Sequence, residues 1–345
     1  MTILPNTLSY TLAHCETNGV FVNILNWKEV RNANHYFGNI GNKNLFGLLS
    51  SLKYYLWTIR TRYADNNIGL KAKLLFLIRT CLHPKISLGW YSFLHQSYLR
   101  NAVQANTSLL DAIHRPFFDR LVPLDKRLTL MQNHFHLCEV FFGKVAASEI
   151  LAGKAREIAQ ITGKNGAQFR LALFWGCAYK REGGLTVGLF LEDTLLQCLT
   201  FSFDLCKNQI AIKVGGIQAN NQESQNLIRT STKALYGIQP RLLLIEALRC
   251  LAREFNCISI ECVAKKNHIY QALRYKFSKN IKAEYDQLWL AAGSTQHVNG
   301  NFMLPLSLAE KPLSSRPANK RSEYRARDKI IQAMRNEISK RLPAN

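Results

Sequence analysis

Negative charge is scarce in this sequence. Asp and Glu number 23 against 45 Lys and Arg, for a formal net charge of +22. Such an imbalance draws a protein to polyanions, whether nucleic acid, anionic lipid headgroups or acidic polymers, and charge alone does not choose among them. Long apolar runs are lacking too. No uncharged stretch reaches the roughly 18 residues that span a bilayer, so no helical anchor is expected. The opening Met1-Thr-Ile-Leu-Pro-Asn-Thr-Leu8 has neither the cationic start nor the small-residue cleavage site of a secretory leader, which points to a cytoplasmic location. Nine cysteines occur without a Cys-x-x-Cys pair. Scattered through apolar runs and odd in number, they read as reduced structural thiols, and no metal site is expected. Walker loops, internal repeats and low-complexity tracts are absent. So are helix-turn-helix, RNA-recognition and zinc-finger patterns, which leaves specific nucleic-acid binding with charge as its sole support.

The remaining composition is that of a globular chain, 47% hydrophobic, long enough for one large domain or two smaller ones. Residues 1–40 are irregular. Residues 45–63, Gly69 to Leu82 and Leu88 to Val103 mix apolar residues at helical spacing with Lys and Arg. They read either as helices on a core or as a basic amphipathic surface lying on membrane. Lys126 to Phe142 predicts a helix with Asp125 as its N-cap. It carries His134 and His136, whose spacing points them to different faces and makes them a poor metal pair.

From Phe169 the pattern turns to strands. Arg170–Tyr179, Leu185–Leu191, Leu195–Asp204 and Gln209–Gly215 are joined by short turns and predict an antiparallel meander. A helix, Arg241–Phe255, then crosses to a fifth strand, Cys257–Ala264. Asn267–Phe277 predicts a short helix, Tyr285–Gly293 a further strand, and Lys320–Leu342 a basic terminal helix. The fold class is therefore α+β: a mixed, mainly antiparallel sheet with flanking helices, preceded by a helical N-terminal region. The division expected is 1–110 and 111–345, with the sheet core at about 169–295.

Gln209 to Phe277 is the organising stretch. It runs strand, Gly215-Gly216, a cationic segment, a helix opened by Pro240, and strand. A helix N-terminus with free N–H groups and nearby cations suits an anionic group. Gly215, Gly216, Gln218, Arg229, Lys233, Gly237 and Arg241 are the candidate anion-binding residues. Glu261, alternating with Ile258, Ile260 and Val263, is a candidate base whose pKa burial among apolar neighbours would raise. His134 is a further catalytic candidate. A solvated edge position is the plainer reading for Glu261, and a satisfied core or surface histidine the plainer one for His134.

Several pieces resemble the VirK/YbjX family of Gram-negative bacteria: Arg115-Pro-Phe-Phe118, His134, Tyr179-Lys-Arg-Glu-Gly-Gly-Leu-Thr186, Leu199-Thr-Phe-Ser-Phe203, Val214-Gly-Gly-Ile-Gln218, Ile228 to Arg241, Tyr285-Asp-Gln-Leu-Trp289, Leu304-Pro305 and Lys320-Arg-Ser-Glu-Tyr-Arg325. They span about residues 110–340, and Gln239 stands where the family pattern leads one to expect Arg. The resemblance implies work at the envelope, seen from the cytoplasmic side, linked to virulence and to resistance against antimicrobial peptides, with no established reaction. A weaker likeness in element order is to the GNAT acyltransferases. It implies a donor such as acyl-CoA or the phosphopantetheine of acyl-carrier protein, with Tyr270 as the acid for the leaving thiolate by analogy. The GNAT [Gln/Arg]-x-x-Gly-x-[Gly/Ala] loop is missing. Glu182, Tyr285, Trp289, Lys320, Arg321 and Arg325 complete the candidate residues.

Three classes of function stay open on these grounds. One is an acyltransferase acting on an envelope component. Another is a non-enzymatic accessory protein, peripheral to the inner membrane, that binds anionic lipid or a partner through its basic surface. The third is charge-driven nucleic-acid binding.

Overall fold

The computed structural model describes residues 45–342 except 67, 220–223, 274, 276–283 and 310–311. The expectation for residues 1–40 lies outside the described residues. Four helices lead: α1 (Leu45–Ala64), α2 (Leu70–Leu82), α3 (Pro84–Leu94) and α4 (Ser97–Ala105). The expected Leu88–Val103 helix is thus two, broken at His95-Gln96. The long α5 (Leu124–Leu151) follows, with Pro123 rather than Asp125 at its N-cap and Asp125 in its first turn. Gly143 interrupts it with φ +73°, a left-handed conformation that suits a residue without Cβ.

The strands are β1 (Arg156–Thr162), β2 (Gln168–Trp175), β3 (Leu185–Leu191), β4 (Thr194–Cys206), β5 (Gln209–Ala219), β6 (Ser259–Cys262), β7 (Thr295–Gln296) and β8 (Phe302–Leu304). Between β5 and β6 lie α6 (Ser224–Ala234) and α7 (Pro240–Glu254); α8 (Tyr285–Ala291) precedes β7, and α9 (Arg321–Arg341) comes last. One sheet holds all eight strands in the order β1-β2-β3-β4-β5-β6-β8-β7. Its pairs are antiparallel except β5 with β6, which the α7 crossover makes parallel. This is the α+β class. Among the described residues, no helix is long and apolar enough to cross a membrane.

Two local readings are corrected. Tyr285–Ala291 is a helix, because burying Tyr285, Leu288 and Trp289 needs helical spacing, not alternation. The Asn267 segment forms short 3₁₀ turns, Lys265–Asn267 and Ile269–Gln271; the end of that expected helix falls outside the described residues.

Aromatic packing fixes α5 and α7 over β4. The Phe203 ring lies 4.9 Å from that of Phe141 and 5.4 Å from that of Phe255, and Phe141 stacks on Phe255 at 4.2 Å. Opposed aromatic pairs of this kind add to what area burial gives. His134 belongs to the same cluster. It is fully buried, and its Nδ1 accepts the Phe203 N–H at 3.1 Å. The β3 ladder with β4 stops at Phe201, so the histidine satisfies an amide that this strand does not reach. Burial holds the His134 imidazole down to about 3, neutral at physiological pH.

Candidate functional site

The parallel pair β5–β6 runs from Ala211–Ser259 to Val214–Cys262 and then parts. Beyond Val214, β5 continues through Gly215 to Ala219 paired with β4 alone. At the parting the β4–β5 register slips, because Thr200 faces Gly216 while Phe201 faces Val214, and Gly215 is the extra residue of a β-bulge. The sheet therefore opens at the position that the strand–glycine–helix pattern singled out.

Side chains occupy the parting. The turn Tyr179–Gly184 folds over the glycines so closely that a Cβ on Gly215 would stand 1.8 Å from the Glu182 carbonyl oxygen. A Cβ on Gly216 would stand 2.3 Å from Glu182 Oε2. The glycines thus admit the Glu182 turn, not an external anion. Glu182 is wholly buried. Gln218 Nε2 donates to Glu182 Oε2 at 2.9 Å and to the Tyr285 hydroxyl at 3.1 Å. Tyr285 donates to the Ile217 carbonyl, and its ring stacks on His268 at 5.3 Å and on Trp289 at 6.1 Å. The Trp289 indole N–H is spent on the Val263 carbonyl.

Within this cluster Glu182 Oε1 and His268 Nε2 stand 3.8 Å apart, both buried, and among the described residues neither atom has a close hydrogen-bond partner. Burial raises the Glu182 carboxyl to about 7, opposed by hydrogen bonds from Gln218 and Tyr270. It lowers the His268 imidazole to about 4. Both groups are pushed to their neutral forms, as desolvation requires. Tyr270, raised to about 12 mainly by burial, is half-buried and connects the cluster with the surface.

Beside the cluster lies a small basic cleft of about 50 Å³, lined by Arg62, Ser108, Asp111, Arg115, Lys180 and Arg181, with Ala112, Pro116 and Phe117 as its apolar wall. The cleft and the cluster share the Tyr179–Gly184 turn. Lys180 and Arg181 face one, Glu182 the other, and Arg181 is fixed by its carbonyl, which accepts the Phe118 N–H at 2.7 Å.

The remaining candidates stand elsewhere. Glu261 does not have a raised pKa. Burial pushes its carboxyl up, but Lys213 at 2.6 Å and the Asn299 and Asn301 amides at 2.8 Å hold it below its usual value. Periodicity cannot show these partners, because they come from β5 and from the β7–β8 turn. Arg229, Lys233 and Arg241 are exposed; Arg241 Nε donates to Gln239 Oε1 at 2.8 Å. Among the described residues no hydrogen bond or ion pair joins them to Glu182. At Gly237, φ +81°, a Cβ would stand 2.4 Å from Arg327 Nη2, and Arg327 Nε donates to the Tyr236 carbonyl. Helix α9 therefore clamps the turn that opens α7. The Lys320–Arg325 motif serves the same docking. Arg321 donates to the Arg316 and Ser314 carbonyls, and Tyr324 lies between Arg316 and Arg327. Lys320 and Arg325 are exposed.

The structure thus brings together Glu182, Gly215, Gly216, Gln218, Tyr270 and Tyr285, and adds residues that sequence reasoning missed: His268, Arg62, Arg115, Lys180 and Arg181. Lys180 and Arg181 directly precede Glu182 in one quoted motif, and Arg115 opens another. That adjacency was the available signal.

Comparison with known proteins agrees with the family resemblance. A family model described as a protein of unknown function, DUF535, matches residues 66–340. The chain is 28% identical over 269 residues to the uncharacterized protein YbjX of Escherichia coli (strain K12), covering 76% of this chain and 81% of that one. It is 25% identical over 251 residues to an uncharacterized protein of Haemophilus influenzae (strain Rd), covering 72% and 79%. No solved structure matches.

Proposed function

The chain belongs to the DUF535 family, the VirK/YbjX family of its sequence motifs, and from that footing we propose that it is a peripheral protein docking on an anionic lipid face through its N-terminal helices. One observation carries this reading. On α2, Leu70, Leu74, Ile78 and Leu82 recur every fourth residue and are 69%, 49%, 53% and 67% exposed. That spacing keeps them on one side of the helix. Leu52 and Leu56 of α1 are half exposed as well. Neither helix contains Asp or Glu, and Lys53, Arg60, Lys71 and Lys85 are exposed on or beside them. An apolar stripe on acid-free, cation-bearing helices is the composition of an element that lies in the interface, with leucines in the acyl boundary and cations on the headgroups. The unpaired thiols Cys81, Cys138, Cys198, Cys206, Cys250, Cys257 and Cys262 fit a reducing, cytoplasmic side for that face.

Co-sedimentation with vesicles tests it. Wild-type protein should bind phosphatidylglycerol vesicles and not phosphatidylcholine ones, and the paired substitution Leu74→Ser and Ile78→Ser should weaken partitioning about tenfold. Both positions are half exposed, so the fold should survive. Unchanged binding by this variant, or no binding by wild type at low salt, defeats the reading.

Acyl transfer is a second reading, favoured by the buried Glu182–His268 pair at the parting of the parallel strands β5 and β6. Glu182, near neutrality in pKa, is poised to accept an acceptor's proton relayed by Tyr270. Saturable binding of acyl-CoA or acyl-carrier protein is expected, with transfer abolished by Glu182→Gln. A folded protein that binds no thioester donor counts against it.

A further inference from the structure

We propose that the cleft walled by Arg62, Arg115, Lys180 and Arg181 is a binding site for a phosphate group. Three distant segments build it: the last turn of α1, the stretch Ser108–Phe117, and the turn Tyr179–Gly184. Four cations line it with a single carboxylate, Asp111. That carboxylate is already engaged by Arg115, whose Nε lies 2.8 Å from it, and by Arg79 at 3.2 Å.

Arg62 and Arg181 are differently placed. Among the described residues, no carboxylate lies within ion-pair distance of either. Arg62 is 5% exposed. Its Nη1 donates to Thr107 Oγ1 at 3.0 Å, while its Nε–H has no acceptor among the described residues. A buried guanidinium donor left unpaired costs free energy that an incoming acceptor would recover. Burial also pulls the Arg62 guanidinium below its ordinary value, against the opposing pull of Asp111 and Asp65.

The other two cations are preorganised. Arg181 lies over the Tyr275 ring at 4.7 Å, and Lys180 Nζ donates to Ser108 Oγ. Ala112, Pro116 and Phe117 keep one wall apolar, which strengthens any charge-assisted bond made there.

Size and charge select the ligand. About 50 Å³ holds a few waters or one tetrahedral oxyanion. A carboxylate needs one arginine fork and carries one charge. A phosphate monoester offers three or four acceptor oxygens and up to two charges, which matches converging guanidinium and ammonium donors. The group could arrive as inorganic phosphate or on a lipid headgroup. The cleft alone supports the site, independently of the exposed stripe on α2.

Calorimetric titration of the full chain with inorganic phosphate, against chloride at matched ionic strength, is the test. A saturable isotherm is expected, weakened about tenfold or more by Arg181→Gln and partly restored by Arg181→Lys. Arg181 is only half-buried on a turn, and unchanged thermal unfolding would show that the variant folds. No heat beyond the chloride control overturns the proposal, as does wild-type affinity in both Arg181→Gln and Lys180→Gln. Vesicles distinguish the source. A preference for phosphatidic acid over phosphatidylglycerol that Arg181→Gln removes assigns a lipid monoester. Equal binding to both lipids, with the phosphate isotherm intact, assigns free phosphate. The Leu74→Ser and Ile78→Ser protein should lose vesicles yet keep the isotherm, so failure of docking and failure of the cleft give different results.

Discussion

At the scale of single residues, burial rather than sequence neighbourhood decides which carboxylate is unusual. Glu261 and Glu182 are both acids whose carboxyl burial pushes up. Lys213 neutralises the first, whereas no cation pairs with the second. The Glu182 carboxyl is raised from 4.5 to about 7, so between these values the folded state holds more protons than the unfolded one. Stability contributed by this group therefore falls as pH rises through that window and is level above it. The difference in melting temperature between Glu182→Gln and wild type should grow in favour of the variant from pH 4.5 to about 7, then stay constant; a flat difference contradicts the assignment. His268 acts in the opposite direction, since its lowered value costs stability as pH falls from 6.5 toward 4. Removing the charge of Glu261 should be destabilising instead. Glu261→Gln leaves half-buried Lys213 with Asp204 at 3.8 Å as its remaining carboxylate, and a loss of about 2 kcal/mol in denaturant unfolding is expected.

At the scale of elements, the bulge at Gly215 couples the sheet to the turn that carries the basic cleft. Gly215→Ala would drive a methyl into the Glu182 backbone. It should cost about 3 kcal/mol or more, seen as a lower denaturation midpoint. The meander, the crossover helix and the terminal helix were legible in sequence because each has a long run of one period and clear turns. Tyr285–Ala291 was not, since a two-turn helix bearing Tyr285 and Trp289 looks like a strand when its neighbours are unknown. Strand β1 and the β7–β8 ribbon were missed because they are short or half exposed, and their pairing is set by contacts far along the chain. The candidate site was half legible. Gly215, Gly216, Gln218 and Tyr285 lay in recognisable motifs, but their convergence on Glu182 is a product of the bulge. Arg62 gave no signal, because its role depends on α1 lying against the Thr107 loop.

At the scale of the whole molecule, the excess of 22 positive charges sets a long-range field, to which the proposed docking adds short-range contacts from the α2 stripe and the cleft. Vesicle association should accordingly weaken steeply with salt. Connectivity adds a different kind of consequence. From β1 to β5 every strand pairs with its successor in sequence, whereas β6 can join β5 only after the chain between Ala219 and Ser259 has looped back. Contacts made between near neighbours sacrifice little chain entropy, and those across a long excursion come slowly. In pulse-labelled hydrogen exchange, amides of β2 to β4 should gain protection before those of β6. A nascent chain would thus hold a finished hairpin array while the acid–base cluster still waits for its histidine, and any chemistry housed there could begin only once the final third of the polypeptide has arrived.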